Sequence, residues 1–484
     1  MNRRWVYPPI GVMVLCWILC ACSPQKPLPD IPMTTVSEDA RMLFLQGRDK
    51  MENAELDKAA ALFDQAIQKD PKFALAYMYR AMSGGGATVA QENRDKAIAL
   101  AGSASSGEQL FIKYTVAGQT AHIAQSKQYL DSLLIAFPLD KRVQMLAGLY
   151  YRSLGDLKTA IGYYEKAVAL DSLFAPAYNL LGYDNEALDK PQVAEKAFKT
   201  YMRLLPTVPN PIDSYAEFLR LQGRYEESIA QYKRVLAMDP SFTSSISGIG
   251  DCYLCKGDGK QAREFYQEFI GKTPQINGKT AGYYSVAACY VQEGNIPEAL
   301  KTLEKRREFA VAQNQNNAAV MSLSYEGFLL SSFGNPQEGL KKYDAAISLA
   351  KSASMAENTR ENLLFWSNYW LSYGYAQAQN MQKAKESLEA FSKEVERRGN
   401  PGETDGVKMG QGYIAIKEGR YDEGIQLFTS VTDNPFKFYA LTFAYNKKGD
   451  KENAAKMIEK LRRFETVTLD DVVSLKLAQA LPKH

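Results

Sequence analysis

Residues 147–171 read AGLYYRSLGDLKTAIGYYEKAVALD, and the pattern in this stretch decides the fold. Small residues stand at Gly148 and Ala160, an aromatic at Tyr164 and a turn glycine at Gly155. A step of 34 residues from these positions keeps returning the same residue types. Gly148, Gly182, Ala216 and Gly250 form one series; Ala160, Ala194, Ser228 and Ala262 form another. Tyr164, Phe198, Tyr232 and Tyr266 form a third, and Pro138, Pro206, Pro240 and Pro274 a fourth, broken only by Ser172. Several phased series at one fixed period mark a stacked repeat, each unit a helix–turn–helix that buries its apolar face on its neighbours.

Each position has a physical reason. Gly148 on helix A and Ala160 on helix B are expected where the two backbones come closest, with Tyr164 filling the space between neighbouring hairpins. The prolines fall after helix B because proline cannot continue a helix and biases the residue before it to extended geometry. Gly155, Gly223 and Gly257 sit in the A–B turn, where a left-handed residue ends the first helix. Asp189 takes that place once, as a short polar residue does.

The pattern extends in both directions. Gly47, Ala59, Phe63, Ala66 and Pro71 mark a first repeat upstream. Downstream, Gly327, Gly334, Gly339, Tyr343 and Ala346 mark a repeat 40 residues after the one at Tyr290, Gly294 and Ala299. Further units follow at Tyr375, Ala384 and Leu388, at Gly412, Gly419, Gly424 and Phe428, and at Tyr445, Gly449, Ala454 and Ile458. Residues 82–111, with Gly84-Gly85-Gly86, predict a lengthened turn and an irregular hairpin.

These residues, at this period, resemble the tetratricopeptide repeat (TPR) family over nearly the whole chain. The resemblance implies an all-α, right-handed solenoid of roughly a dozen TPR-like hairpins. The tail LDDVVSLKLAQAL reads as a capping helix that closes the last apolar face. The expected organisation is a signal peptide at 1–21, a Pro-rich tether at 22–36 and N-terminal hairpins at 37–140. A regular array follows at 141–276, a less regular one at 277–466 and the capping helix at 467–484.

The N-terminus carries the second signal. Arg3 and Arg4 precede an apolar run from Ile10 to Ala21, too short to span a bilayer comfortably and laid out like a secretory signal peptide. It ends in Leu19-Cys20-Ala21-Cys22, which resembles a bacterial lipobox. That resemblance implies cleavage before Cys22 and lipidation of Cys22. Ser23 resembles the outer-membrane sorting pattern, and the prolines of SPQKPLPDIPM give an extended tether. The expected place is the cell envelope, lipid-anchored at the outer membrane and facing the periplasm or cell surface. An ordinary signal peptide with a chance cysteine, or an uncleaved anchor, is the alternative.

Composition excludes several classes. The chain has 484 residues, 46% of them hydrophobic, and 58 basic against 55 acidic residues give a net charge of +3. Near neutrality offers no electrostatic footprint for nucleic acid. The two histidines, His122 and His484, are too few for a histidine-rich metal centre or a triad. Cys252 and Cys255 form a C-x-x-C, but the repeat register puts it mid-helix, away from the helix N-terminus that activates redox thiols. Cys252 and Cys289 share a register position that takes a small buried residue, so packing is expected of both. The GKT strings at Gly271 and Gly278 lack the glycine five residues upstream and the preceding strand of a phosphate loop. No cofactor, metal or catalytic constellation is read.

What remains is surface. In TPR proteins the second, fifth, ninth, twelfth and thirteenth residues of a repeat line the concave side. The resemblance therefore implies a groove presenting Arg142, Arg152, Asn179, Glu186, Asp213, Glu217 and Arg220 in the N-terminal half. In the C-terminal half it implies Tyr284, Phe328, Trp366, Tyr369, Tyr373, Tyr413, Tyr439 and Phe443. The charged set suits an extended protein or peptide segment; the aromatic set suits apolar side chains or, alternatively, sugar rings. The expected function is a non-enzymatic protein–protein adaptor. A glycan-binding lipoprotein, favoured if Trp366 and Tyr369 are exposed and adjacent, is a second reading. An enzyme with a pocket at 82–111 is a third.

Overall fold

The computed structural model describes residues 30–119, 123–463 and 467–481. The signal peptide, Cys22, Ser23, the tether up to residue 29, His122 and His484 lie outside these residues. Among the described residues the chain is an all-α solenoid without a strand. It divides into two compact units, Met1–Asp189 and Lys190–His484. The division falls inside the regular array, because the 34-residue period runs on through it and marks no boundary.

Unit 1 holds α1 (Glu38–Glu52), α2 (Leu56–Lys69), α3 (Ala74–Met82), α4 (Gly86–Leu100), α5 (Ser106–Gln119), α6 (Ile123–Ala136), α7 (Lys141–Ser153), α8 (Leu157–Leu170) and α9 (Ala175–Ala187). Unit 2 begins with α10 (Pro191–Leu204), α11 (Pro209–Leu221), α12 (Tyr225–Met238), α13 (Ser244–Cys255), α14 (Gly259–Lys272), α15 (Ile276–Glu293) and α16 (Ile296–Ala312). It continues with α17 (Asn316–Phe333), α18 (Pro336–Ser352), α19 (Glu357–Gln377), α20 (Met381–Arg398), α21 (Thr404–Lys417), α22 (Tyr421–Thr429), α23 (Pro435–Lys448), α24 (Lys451–Arg463) and α25 (Leu469–Gln479). Taken two by two among the described residues, unit 1 holds four pairs, α1/α2 to α7/α8, followed by α9, and unit 2 holds α10, seven pairs, α11/α12 to α23/α24, and the terminal α25.

The hairpins pack as the small and aromatic positions require. A Cβ on Gly148 would run into the ring of Tyr164, and one on Gly250 would lie 2.8 Å from the ring of Tyr266. The aromatic thus lies over the small residue of its own hairpin, rather than only between hairpins. Ala160, Ala194, Ala262, Tyr164, Phe198 and Tyr266 have no exposed surface. Gly155 and Asp189 end their A helices at φ 78° and 55°. At 82–111 the irregularity is a turn, with Gly84 and Gly85 before α4 and Gly86 at its first position all at positive φ.

The 40-residue spacing downstream has a simple cause. Helices α15 to α20 run 17–21 residues, against 12–14 in α7 to α14. Each is about one turn longer, which keeps the hairpin but moves the inward-facing positions.

Two terminal segments depart from the reading of the sequence. Residues 30–36 are extended, as a tether is, but they are fastened to unit 1 by hydrogen bonds described below. Helix α25 covers apolar surface, as a cap does, yet it is not simply stacked on α24. It lies along α15 and α23 and reaches α17, the first helices of three different hairpins.

Candidate partner-binding grooves

In unit 1 the two predicted arginines are paired with carboxylates on other helices. Arg142 on α7 makes a two-pronged ion pair with Glu52 at the end of α1, its Nη2 3.1 Å from Oε2. Burial works against the Arg142 charge, and Glu52 more than restores it. Arg152 binds Asp184, a carboxylate only 1% exposed on α9. Burial raises the Asp184 pKa and Arg152 opposes the rise. Asn179 and Glu186 are half-buried on the same helix. Arg142 and Arg152 therefore tie A helices together, α7 to α1 and α7 to α9.

The chain's own residues 31–35 lie against unit 1 and show what its carboxylates can do. The backbone N–H of Ile31 donates to Asp140 Oδ2 at 3.0 Å, and that of Thr34 donates to Glu108 Oε1 at 2.9 Å. The Thr35 hydroxyl donates to Asp70 Oδ2 at 2.5 Å. Glu108 has no exposed surface and spends its other oxygen on the Ser105 N–H at 2.9 Å. Ser105 closes the contact, its hydroxyl donating to the Pro32 carbonyl at 2.8 Å. An extended segment leaves its amides unpaired, and buried carboxylates answer that need with charge-assisted bonds. The irregular 82–111 region thus ends beside an anchoring acid, and Glu108 is engaged structurally. Sequence reasoning missed Asp70, Glu108 and Asp140, whose signal was helix capping: Asp140 also caps α7 through the Arg142 N–H at 2.8 Å.

In unit 2 the charged set forms a half-buried cluster between α11 and α13. Asp213 accepts from the Ser245 hydroxyl. Burial pushes its carboxyl up to about 6, with Ser245 and Arg220 opposing and Glu217 adding to the rise. Arg220, 7% exposed, sits 3.8 Å from Glu217 and 4.0 Å from Asp251. Asp251 accepts a 2.6 Å bond from the Tyr266 hydroxyl.

The aromatic positions are brought together, but not as an open platform. Phe328, Tyr373, Tyr413 and Tyr439 are each less than 10% exposed. Phe328 meets Tyr373 at 5.5 Å between ring centres, Tyr373 stacks on Tyr413 at 5.2 Å, and Phe436 joins Tyr413 to Tyr439 at 5.4 and 5.9 Å. The Tyr373 hydroxyl is shared between Ser332 and Gln377 at 2.9 and 2.8 Å. Trp366 and Tyr369 are adjacent, as the glycan reading requires, but half-buried and edge-on at 83°. Both press on Phe391, at 5.4 and 5.6 Å. The glycan reading asks for exposed rings, and these two are half-buried. Phe443 is half-buried with Lys447 over its ring. Trp370 and Phe436, missed in the sequence, belong to the same chain of rings, and Tyr325, also missed, pairs with Tyr284; Tyr325 and Trp370 lie on the lengthened α17 and α19, whose inward register is shifted.

Tyr284 marks the occupied part of this groove. Its hydroxyl accepts a 3.0 Å bond from the Leu469 N–H at the start of α25, and its ring meets Tyr325 at 4.8 Å. Leu469, Val472, Val473 and Ala478 of α25 are buried in the same apolar cluster as Phe328, Tyr373, Tyr413 and Tyr439. A capping box joins Thr468 and Asp471. Asp470 is different: its Oδ1 is shut off from solvent with no hydrogen-bond partner. Burial, with Asp471 beside it, pushes the Asp470 carboxyl up to about 7.

The cysteines serve packing. Cys252 and Cys289 have no exposed surface, and burial pushes the Cys252 thiol up to about 11, the opposite of an activated nucleophile. Among the described residues no helix is long and apolar enough to cross a membrane.

The tetratricopeptide repeat model matches residues 44–84, 115–173 and 219–275. Human Superkiller complex protein 3 is 25% identical over 252 residues, 50% of this chain and 15% of that protein. Anaphase-promoting complex subunit 7 of Arabidopsis thaliana is 23% identical over 154 residues, 31% of this chain and 26% of that protein. The chain thus spans about a quarter or less of the length of the curated relatives it matches. Among solved structures, yeast Tom70 is 14% identical with a TM-score of 0.44, covering 87% of this chain and 99% of its own.

Proposed function

We propose that this chain, a tetratricopeptide repeat protein, is a non-enzymatic adaptor, lipid-anchored in the bacterial cell envelope, that binds segments of other proteins. Protein–protein scaffolding is what its repeats are built for. The observation that carries the reading is that both units already hold polypeptide: residues 31–35 on unit 1 and α25 on unit 2. A surface that binds a segment of its own chain has the acceptors or apolar area to bind one from another. The lipobox-like Leu19-Cys20-Ala21-Cys22 supports an anchor at Cys22, and Ser23 supports the outer membrane. Multiple acyl chains on one residue hold a protein to a bilayer far more firmly than one does.

Two experiments test this. Crosslinking of the intact protein in its native envelope, with mass spectrometry of what co-purifies, should return a discrete protein partner; a partnerless result sinks the adaptor. Radiolabelled palmitate should enter the wild type and not Cys22→Ala, which should leave the membrane fraction. A variant that stays membrane-bound removes the lipid anchor from the proposal.

A further inference from the structure

The edge of unit 1 where the A helices start carries an apolar rim that packing does not require. Among the described residues the four most exposed large apolar side chains are Val36, Ile135, Leu173 and Leu139, at 102%, 81%, 71% and 52%. All four stand on this edge. Val36 precedes Ser37, the N-cap of α1; Ile135 is in the last turn of α6; Leu139 and Leu173 are in the turns before α7 and α9. Leu139 and Leu173 are one 34-residue step apart, and the next two steps give Thr207 and Ser241. The repeat thus accepts a polar residue at this position, and the leucines are not there for the fold. An ion pair from Lys141 to Asp171 joins the two turns, and Lys141 Nζ lies 4.9 Å from the centre of the Phe174 ring, so both leucines belong to one surface. Single apolar residues scatter over any protein surface, but the most exposed ones gathered on one edge mark a contact.

The path of the chain says what that contact is. Residues 31–35 run along the same edge, and Ile31 packs on Leu133, Phe137 and Val143, beside Ile135 and Leu139. Cys22 stands eight positions before Asp30, and a fully drawn-out chain of that length is shorter than a bilayer is thick. The acids beside the leucines are spent: Asp140 and Glu108 accept from the 31–35 backbone and Asp171 from Lys141. From this we infer that the rim of Ile135, Leu139 and Leu173 rests in the interface of the bilayer, so that unit 1 stands on the membrane by this edge. The inference rests on the lipid anchor proposed at Cys22 and adds a second membrane signal to it. Apolar side chains at such an interface sink to the boundary between headgroups and acyl chains. Three of them are too few to hold a protein alone; the lipid makes their contact intramolecular and so populates it.

The test uses the full chain, purified from its membrane and reconstituted in vesicles of phosphatidylcholine with brominated acyl chains, which quench tryptophan in the apolar layer. Leu173→Trp reports on the rim. Leu154→Trp, in the A–B turn at the other end of α7 and 49% exposed in the native residue, reports on the opposite edge and shares any affinity of the indole for an interface. The wild type gives the background. The fluorescence added by Leu173→Trp should be quenched about twofold or more, and that added by Leu154→Trp by less than about a tenth. Equal quenching at the two sites, or none at position 173, in protein that sediments with the vesicles overturns the inference, gives the rim to a protein partner or to solvent, and leaves the anchor standing. Protein that stays in the supernatant overturns the anchor and the inference with it. If Leu173→Trp fails to fold, Ile135→Trp takes its place, at a site 81% exposed, with the same two outcomes.

Discussion

In unit 1 an extended segment, residues 31–35, is tied through its backbone to Asp140 and Glu108 and through a hydroxyl to Asp70. In unit 2 a helix, α25, is held through the side chains of Leu469, Val472, Val473 and Ala478. The difference follows from what each conformation leaves unsatisfied. An extended chain has free amide groups, so it is captured by acceptors, and buried carboxylates are the strongest available. A helix has satisfied its own amides beyond the first turn, so it offers mainly apolar surface and is captured by area and shape. Backbone capture tolerates many sequences. Side-chain capture selects among them.

The comparison breaks or sharpens under four changes. The largest effect is expected from Val473→Asp, which buries a charge against the aromatic chain and costs about 3–5 kcal/mol of docking. Hydrogen exchange over 469–479 should rise to the level of an exposed segment while unit 1 is unaffected. Next is Glu108→Ala, which strands the amides of Thr34 and Ser105 and costs unit 1 about 2–3 kcal/mol. Limited proteolysis should then cut near residues 30–36, and an uncut segment would show that apolar contacts of Ile31 hold it instead.

The third is a pH effect. The Asp470 carboxyl is pushed up to about 7 when docked, against an ordinary value near 3.9 when free. Docking is therefore strongest below about pH 4 and is lost progressively as pH rises towards 7. The groups that feel its charge are Asp471 and the tyrosines Tyr284, Tyr325, Tyr343 and Tyr369, which burial keeps neutral over this range. Exchange protection over 469–479, corrected for the intrinsic rate, should fall between pH 5 and pH 8 in the wild type and fall less in Asp470→Asn, where only the Asp471 carboxyl, also raised by burial, remains. The smallest effect is Tyr284→Phe, which removes one acceptor and should cost about 1 kcal/mol. A larger loss would mean that the helix, too, is held mainly by its backbone.

The repeat was legible because its positions are dictated by backbone approach and turn geometry, which leave a residue type at a fixed step. Gly148, Tyr164, Gly155 and Asp189 each do what their spacing implies. The groove was less legible. Phe328 and Tyr373 were found at inward positions, but Tyr325 and Trp370 were not, because α17 and α19 are longer than the consensus and move the inner face; Phe436, on the ordinary-length α23, was not found either. Nor does a sequence pattern say whether an inward ring faces solvent or another ring: Tyr413 is buried under the same register rule that suits a binding residue. The docking of α25 was least legible of all, since LDDVVSLKLAQ pairs with α15, 185 positions away at Leu469–Tyr284, as well as with the nearby α23, and no local spacing records the distant contact.

The fastening of residues 31–35 sets a leash length. From Cys22 to Asp30 there are eight peptide steps, which reach at most about 26–29 Å when fully drawn out. If Cys22 carries the proposed lipid, the edge of unit 1 that carries Glu108 and Asp140 is held within that distance of the bilayer surface. A tether free through residue 36 would reach nearly twice as far. The protein would then sample only a thin layer of the envelope, and its partners would be those whose exposed segments enter that layer. Releasing the segment by Glu108→Ala would deepen the layer without changing the anchor.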